Sequence, residues 1–182
     1  VYSMMPTCGT ELKPNVQYLS SADAYYDDET CSDLTQLVSK QYFVTDKCFQ
    51  TGPESSRAIY CDERGVGFYF YDVPDCDQVQ VASTTFYGAD SCNSPESWMV
   101  VGFATISLMS SSSYRSLTCN STGTLPDTQP YFVRYLYTGA GCDDENFISA
   151  EVLLAGKCVR HDENSYMLLE CDARGAHSAL YS

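Results

Sequence analysis

Ten cysteines set the strongest limit on how this chain folds, because their spacings repeat. Cys8 to Cys31 and Cys119 to Cys142 both span 23 positions. Cys31 to Cys48 spans 17 against 16 for Cys142 to Cys158, while Cys48 to Cys61 and Cys158 to Cys171 both span 13. The flanks agree as well. Lys47-Cys48 matches Lys157-Cys158, and Cys61-Asp62-Glu63-Arg64-Gly65 matches Cys171-Asp172-Ala173-Arg174-Gly175. Self-similarity of this kind marks a supersecondary unit that has been copied.

A third, more eroded copy lies between the two. The element Tyr-x4-Cys occurs at Tyr26/Cys31, Tyr87/Cys92 and Tyr137/Cys142, each followed 27 to 30 positions later by Cys-Asp or Cys-Asn. The middle copy carries Met109 where the others have Cys48 and Cys158, and gains Cys76 upstream. Modules at 1–65, 66–118 and 119–182, combined in one compact unit, follow from this alignment. Each reads as three strands rich in β-branched and aromatic residues. The first strands are 16–26, 79–87 and 131–137, the second 34–44, 98–109 and 147–154, and the third 57–61, 114–119 and 166–171. Ser149 and Glu151 alternate with Ala150 and Val152, as in a half-buried strand. Residues 65–71 supply an extra aromatic strand, and residues 32–40 are the nearest candidate for a turn or two of helix. The expected fold is all-β and disulfide-rich, with approximate threefold character. A trefoil, a prism-like arrangement and a side-by-side stack of small sheets all fit.

No C-x-x-C pair is present, and only His161 and His177 are available to join thiols around a metal, so a metal framework is disfavoured. Five disulfides in an oxidising compartment account better for an even cysteine count. Spacing alone does not fix connectivity. Pairing like with like gives Cys31–Cys48 and Cys142–Cys158 as local staples and Cys8–Cys61 and Cys119–Cys171 as module-closing bridges. Cys76–Cys92 is left over. The sequon at Asn120 fits a glycosylated, secreted surface. The chain begins at Val1 with neither an initiator Met nor a basic leader, which reads as a processed secreted protein. The longest apolar stretch, 99–106, is far short of the ~20 residues of a spanning helix.

A net charge of −14 disfavours nucleic acid and anionic membrane surfaces as partners. No Walker loop, G-x-S-x-G elbow or H-E-x-x-H occurs. His161 in a polar turn and His177 in the tail read as solvated, and paired carboxylates among 24 acidic residues carry no information. No cofactor and no catalytic residue is expected. Calcium on the acidic runs Asp27-Asp28-Glu29 and Asp143-Asp144-Glu145 is the weaker reading beside solvated loops. Phe68-Tyr69-Phe70-Tyr71 places an aromatic pair on each face of a strand. One pair belongs to the core, and the other is covered by a second sheet or free for sugar rings or a neighbouring subunit. In Cys-Asp-x-Arg-Gly, a Gly at positive φ and a local Asp–Arg pair are a sufficient structural account.

The pattern Tyr-x4-Cys, a β segment, Lys-Cys, then a strand into Cys resembles cysteine-rich repeats of secreted and cell-surface proteins of amoebae and other protists. It covers most of the chain, apart from Met109 in the middle copy, and brings no catalytic site with it. The expectation is therefore a non-enzymatic extracellular structural or assembly glycoprotein, a subunit of a surface coat, hair or fibril. Its partners would be copies of itself or neighbouring extracellular proteins, contacted through terminal segments, for example by strand addition at an edge. The alternative is a carbohydrate-binding, lectin-like module using exposed aromatics. A hydrolase with an acidic dyad ranks below both.

Overall fold

A computed structural model of the 182-residue chain describes residues 2–9, 12, 20–26, 29–33, 37–88, 91–93, 113–119, 131–139, 141–160 and 164–182. They form β1 (Tyr2–Gly9), β2 (Ser20–Tyr26), β3 (Leu37–Phe43), β4 (Cys48–Gly52), β5 (Ser55–Asp62), β6 (Gly65–Tyr71) and β7 (Val81–Tyr87). The second part contributes β8 (Cys92–Asn93), β9 (Ser113–Cys119), β10 (Tyr131–Thr138), β11 (Phe147–Leu154), β12 (Cys158–Arg160), β13 (Tyr166–Asp172) and β14 (Gly175–Tyr181). Three antiparallel sheets result, ordered β1-β10-β11-β3-β2-β9-β8, β4-β5-β6-β7 and β12-β13-β14. The all-β expectation holds. β3 matches the strand expected at 34–44, and its backbone pairs with β2 and β11 where the helical turn considered at 32–40 would have lain.

The duplication is visible as geometry. At the centre of the large sheet β3 and β11 pair so that Gln41 opposes Glu151. These positions are 110 apart, the same offset as Cys48/Cys158 and Cys61/Cys171. Outward from that pair the strands run β3-β2-β9 on one side and β11-β10-β1 on the other. An approximate twofold thus relates residues up to β6 to those from β9 to β14. The outer strands are exchanged: β1 of the first copy pairs with β10 of the second, and β9 of the second with β2 of the first. Smaller details repeat at the same offset. Asp46 N–H donates to Ile59 O at 2.9 Å and Gly156 N–H to Leu169 O at 2.7 Å, with positive φ at both residues (58° and 76°). Reciprocally, Lys47 Nζ donates to the backbone carbonyl of Glu145, and Lys157 Nζ to that of Leu37.

This exchange explains a correction. Cys61 is bonded not to Cys8 but to Cys119, the counterpart of Cys8 in the other copy. The strand carrying Cys119 is the one that lies beside the first copy, so Cys119–Cys171 is excluded too. The other pairings expected within modules also fail: Cys31 bonds Cys92 and Cys48 bonds Cys76, so neither Cys31–Cys48 nor Cys76–Cys92 forms. Cys171 is disulfide-linked as well, whereas Cys142 and Cys158 are unpaired. Like-with-like pairing misassigned these because it assumed each copy to be closed on itself. The region given to the middle copy contributes β7, β8 and most of β9 to sheets shared with its neighbours, and β6, beyond the expected boundary at 65, pairs along its length with β5. The second strand expected at 98–109, the sequon at Asn120 and His161 lie outside the described residues.

One face of the large sheet receives both smaller sheets. Phe43, Leu117, Leu136 and Ile148 pack with Phe49, Ile59, Val66, Phe68 and Tyr87 of the four-stranded sheet. Phe132 and Leu153 pack with Met167 and Leu169 of the three-stranded one. Each such buried side chain contributes about 1.5–3 kcal/mol relative to exposure. Between these apolar positions on β10 and β11, Arg134 forms an almost fully buried ion pair with Glu151, its cross-strand partner. The opposite face buries Tyr42, Tyr131, Tyr135, Tyr137 and Phe147 with Leu12.

Candidate functional site

The aromatic run of β6 divides as strand alternation requires. Phe68 is fully buried in the core, where its ring meets Phe43 and Tyr87 edge to face, each at 5.8 Å. Phe70 lies against the same cluster, with the Arg57 guanidinium 5.0 Å from its ring. Tyr69 and Tyr71 occupy the outer face and stack on one another at 6.4 Å. Tyr60 of β5 and Phe86 of β7 meet the Tyr69 ring edge to face, at 5.1 and 6.0 Å. Gly67 makes room for this arrangement: a Cβ there would come within 2.8 Å of both Phe86 and Tyr69. Outside Phe86 stands Arg64, 4.7 Å from the ring. Burial of Tyr71, beside Tyr60, pushes its phenol well above the ordinary tyrosine range and keeps it neutral.

What covers Tyr71 is the segment after β6. Cys76, stapled to Cys48, forms a small outer cluster with Ala58 and Tyr71, flanked by Tyr60, Tyr69 and Val73. Ser56 fastens it from beneath, donating to Val73 O at 2.6 Å and accepting from Cys76 N–H at 2.9 Å. The chain then turns through Gln78–Gln80, capped by Asp77, and enters β7, which pairs with β6. Cys92 closes the segment onto Cys31.

The three-stranded sheet has the same framework and no such cover among the described residues. Tyr71 is 2% exposed, whereas its counterpart Tyr181 is 51% exposed. Leu180, in the place of Phe70, is 64% exposed, and Tyr166 stands half-exposed where Ser56 is buried. Tyr166 and Tyr181 are direct cross-strand partners. β14 ends its sheet, where β6 continues into β7. Cys142 and Cys158, counterparts of the bonded Cys31 and Cys48, are exposed thiols. Sequence reasoning missed this face because residues 175–181 lack the β-branched run that signals a strand. Extending the match of the two Cys-Asp-x-Arg-Gly elements by six positions would have found it.

The remaining candidates resolve locally. Asp62 accepts from Arg64 N–H at 2.8 Å and from its Nη2 at 2.6 Å, and Asp172 does the same with Arg174. Gly65 and Gly175 follow at φ 134° and 112°, a region that favours glycine. The Arg64 side-chain bond, then its backbone N–H, holds the Asp62 carboxyl below its usual range, and Arg174 acts likewise on Asp172. His177 is not in a tail but on β14, with Nε2 3.3 Å from Glu170 and 3.9 Å from Asp172. Burial lowers the Lys47 ammonium despite the nearby Glu145. Among the described residues no three His, Cys, Asp or Glu side chains converge as a metal site, and no helix is long and apolar enough to cross a membrane.

The sequence model of one family, described as counting factor-associated protein A/B/C, matches residues 24–181. No curated protein and no solved structure matches the chain.

Proposed function

The chain belongs to the counting factor-associated protein A/B/C family, and from that premise we propose that it is a non-enzymatic subunit of an extracellular protein complex, held to its neighbours through the outer face of β12–β14. The uncovered face carries this reading. Tyr166 and Tyr181 stand half-exposed on it beside β14, which has no further strand partner among the described residues, and exposed edges and apolar patches mark contact sites. Disulfides support the extracellular setting.

Light scattering of the native secreted material tests the reading. A molar mass well above 20.2 kDa is expected, and a compact monomer at high concentration would contradict it. Electron micrographs then separate a discrete particle from a coat, hair or fibril. A closed particle is expected, because a filament needs two complementary surfaces on each copy. A second reading, glycan binding, draws on the exposed edge of Phe86 beside Tyr69 and Arg64. It predicts glycan-array signals lost in Phe86→Ala, and a blank array removes it.

A further inference from the structure

Resting on that reading, we propose that the outer face of β12–β14 receives an extended segment of a different polypeptide, which adds a strand to β14 and is disulfide-bonded to Cys142 and Cys158. The first copy shows what such an occupant looks like. Residues 72–77 lie over the outer face of β5–β6, β7 pairs with β6, and Cys76 and Cys92 bond Cys48 and Cys31. The second copy repeats the hairpin turning at Asp172–Arg174, the strand β14 and the two thiols at the equivalent positions. Among the described residues no occupant lies on it. Its Tyr181 is half-exposed where Tyr71 is buried, and Cys142 and Cys158 are exposed thiols while Cys31, Cys48, Cys61, Cys76, Cys92, Cys119 and Cys171 are bonded.

The occupant's chemistry follows from the template. It carries two cysteines about 16 positions apart, as Cys76 and Cys92 are, flanking a strand of β-branched and aromatic residues like Val81, Thr84 and Tyr87. Backbone hydrogen bonds along the β14 edge supply register, as in other strand-addition complexes. Each cross-link joins one thiol sulfur of this chain to one of the partner. Two electrons and two protons pass to a disulfide oxidant of the secretory compartment, which is reduced to two thiols.

The native secreted complex, blocked with N-ethylmaleimide before denaturation, digested without reduction and analysed by mass spectrometry, decides the matter. The expected result is cystine peptides joining Cys142 and Cys158 to a second, different polypeptide, with neither cysteine alkylated. The chain expressed alone should show both alkylated. The inference is overturned if the complex holds together with both thiols free, or with Cys142 and Cys158 joined to each other, to another part of this chain or to a second copy. In those cases the scattering mass of the complex still supports the subunit reading. A native monomer with free thiols overturns both.

Discussion

Two hairpins of the same descent, β5–β6 and β13–β14, differ in what lies over them. The first is covered by residues 72–77, stapled by Cys48–Cys76 and fastened by Ser56, so that Ala58 and Tyr71 are core residues. The second presents Leu168, Ala179 and Tyr181 along the same rows with nothing over them among the described residues. Their turns are nearly superimposable in chemistry, down to the bidentate Arg-to-Asp contact. A duplicated framework therefore conserves the hairpin and its turn, while the role of its outer face is decided by the segment that follows. In one copy that face is interior, and in the other Tyr166 and Tyr181 stand half-exposed on it.

The largest effect is expected from the exchanged cystine. Replacing Cys61 and Cys119 together by Ser frees a 58-residue separation and should lower unfolding stability by about 4 kcal/mol. Replacing Cys142 and Cys158 together should change it by less than about 0.5 kcal/mol in the isolated chain. Denaturant titration reads both, and equal losses would break the distinction between closed and open halves. Next in size is the equivalent tyrosine pair. Tyr71→Ala removes a buried ring and should cost about 3 kcal/mol, while Tyr181→Ala should stay within about 0.5 kcal/mol. A comparable loss at Tyr181 would mean that its face is already covered.

Much of this was legible in the cysteine spacing. It gave the repeat, and the dominance of Val, Thr, Tyr and Phe gave the all-β class and strands close to β2, β3, β5, β6, β7, β9, β10, β11 and β13. Strand exchange was not legible. Cys8 and Cys119 are equivalent positions, and no local property of the sequence says which copy each strand joins. β14 was hidden because Ala176, His177, Ser178 and Ala179 carry little intrinsic strand preference and depend on pairing with β13. For the site, the aromatic run at 68–71 was found, but its outer pair is mostly committed to Tyr60, Phe86 and the covering segment. The half that is free was overlooked.

Two smaller effects sharpen the comparison. Gly67 sits under the Tyr69 and Phe86 rings, and its counterpart is His177 on the open face. Gly67→Ala should cost about 1–2 kcal/mol by displacing those rings, and His177→Ala should be nearly neutral. Thermal melts of the two variants compare them directly, and a tolerated Gly67→Ala would contradict the closed packing. Acid titration should show no asymmetry at all. Both turn carboxyls titrate below the usual 3.8, so the contribution of each turn is fully present above that pH and fades as the pH falls through the lower folded-state value. Carboxyl NMR titrations of Asp62 and Asp172 should give low midpoints for both. A normal midpoint at one alone would show that the turns are not equivalent.

Two matching halves exchange strands, and among the described residues only one carries a cover over its hairpin. Peptide mapping of the unreduced chain expressed alone should recover cystine peptides joining Cys61 to Cys119, Cys31 to Cys92 and Cys48 to Cys76, with Cys142 and Cys158 as thiols. Recovery of Cys31–Cys48 together with Cys142–Cys158 would contradict it.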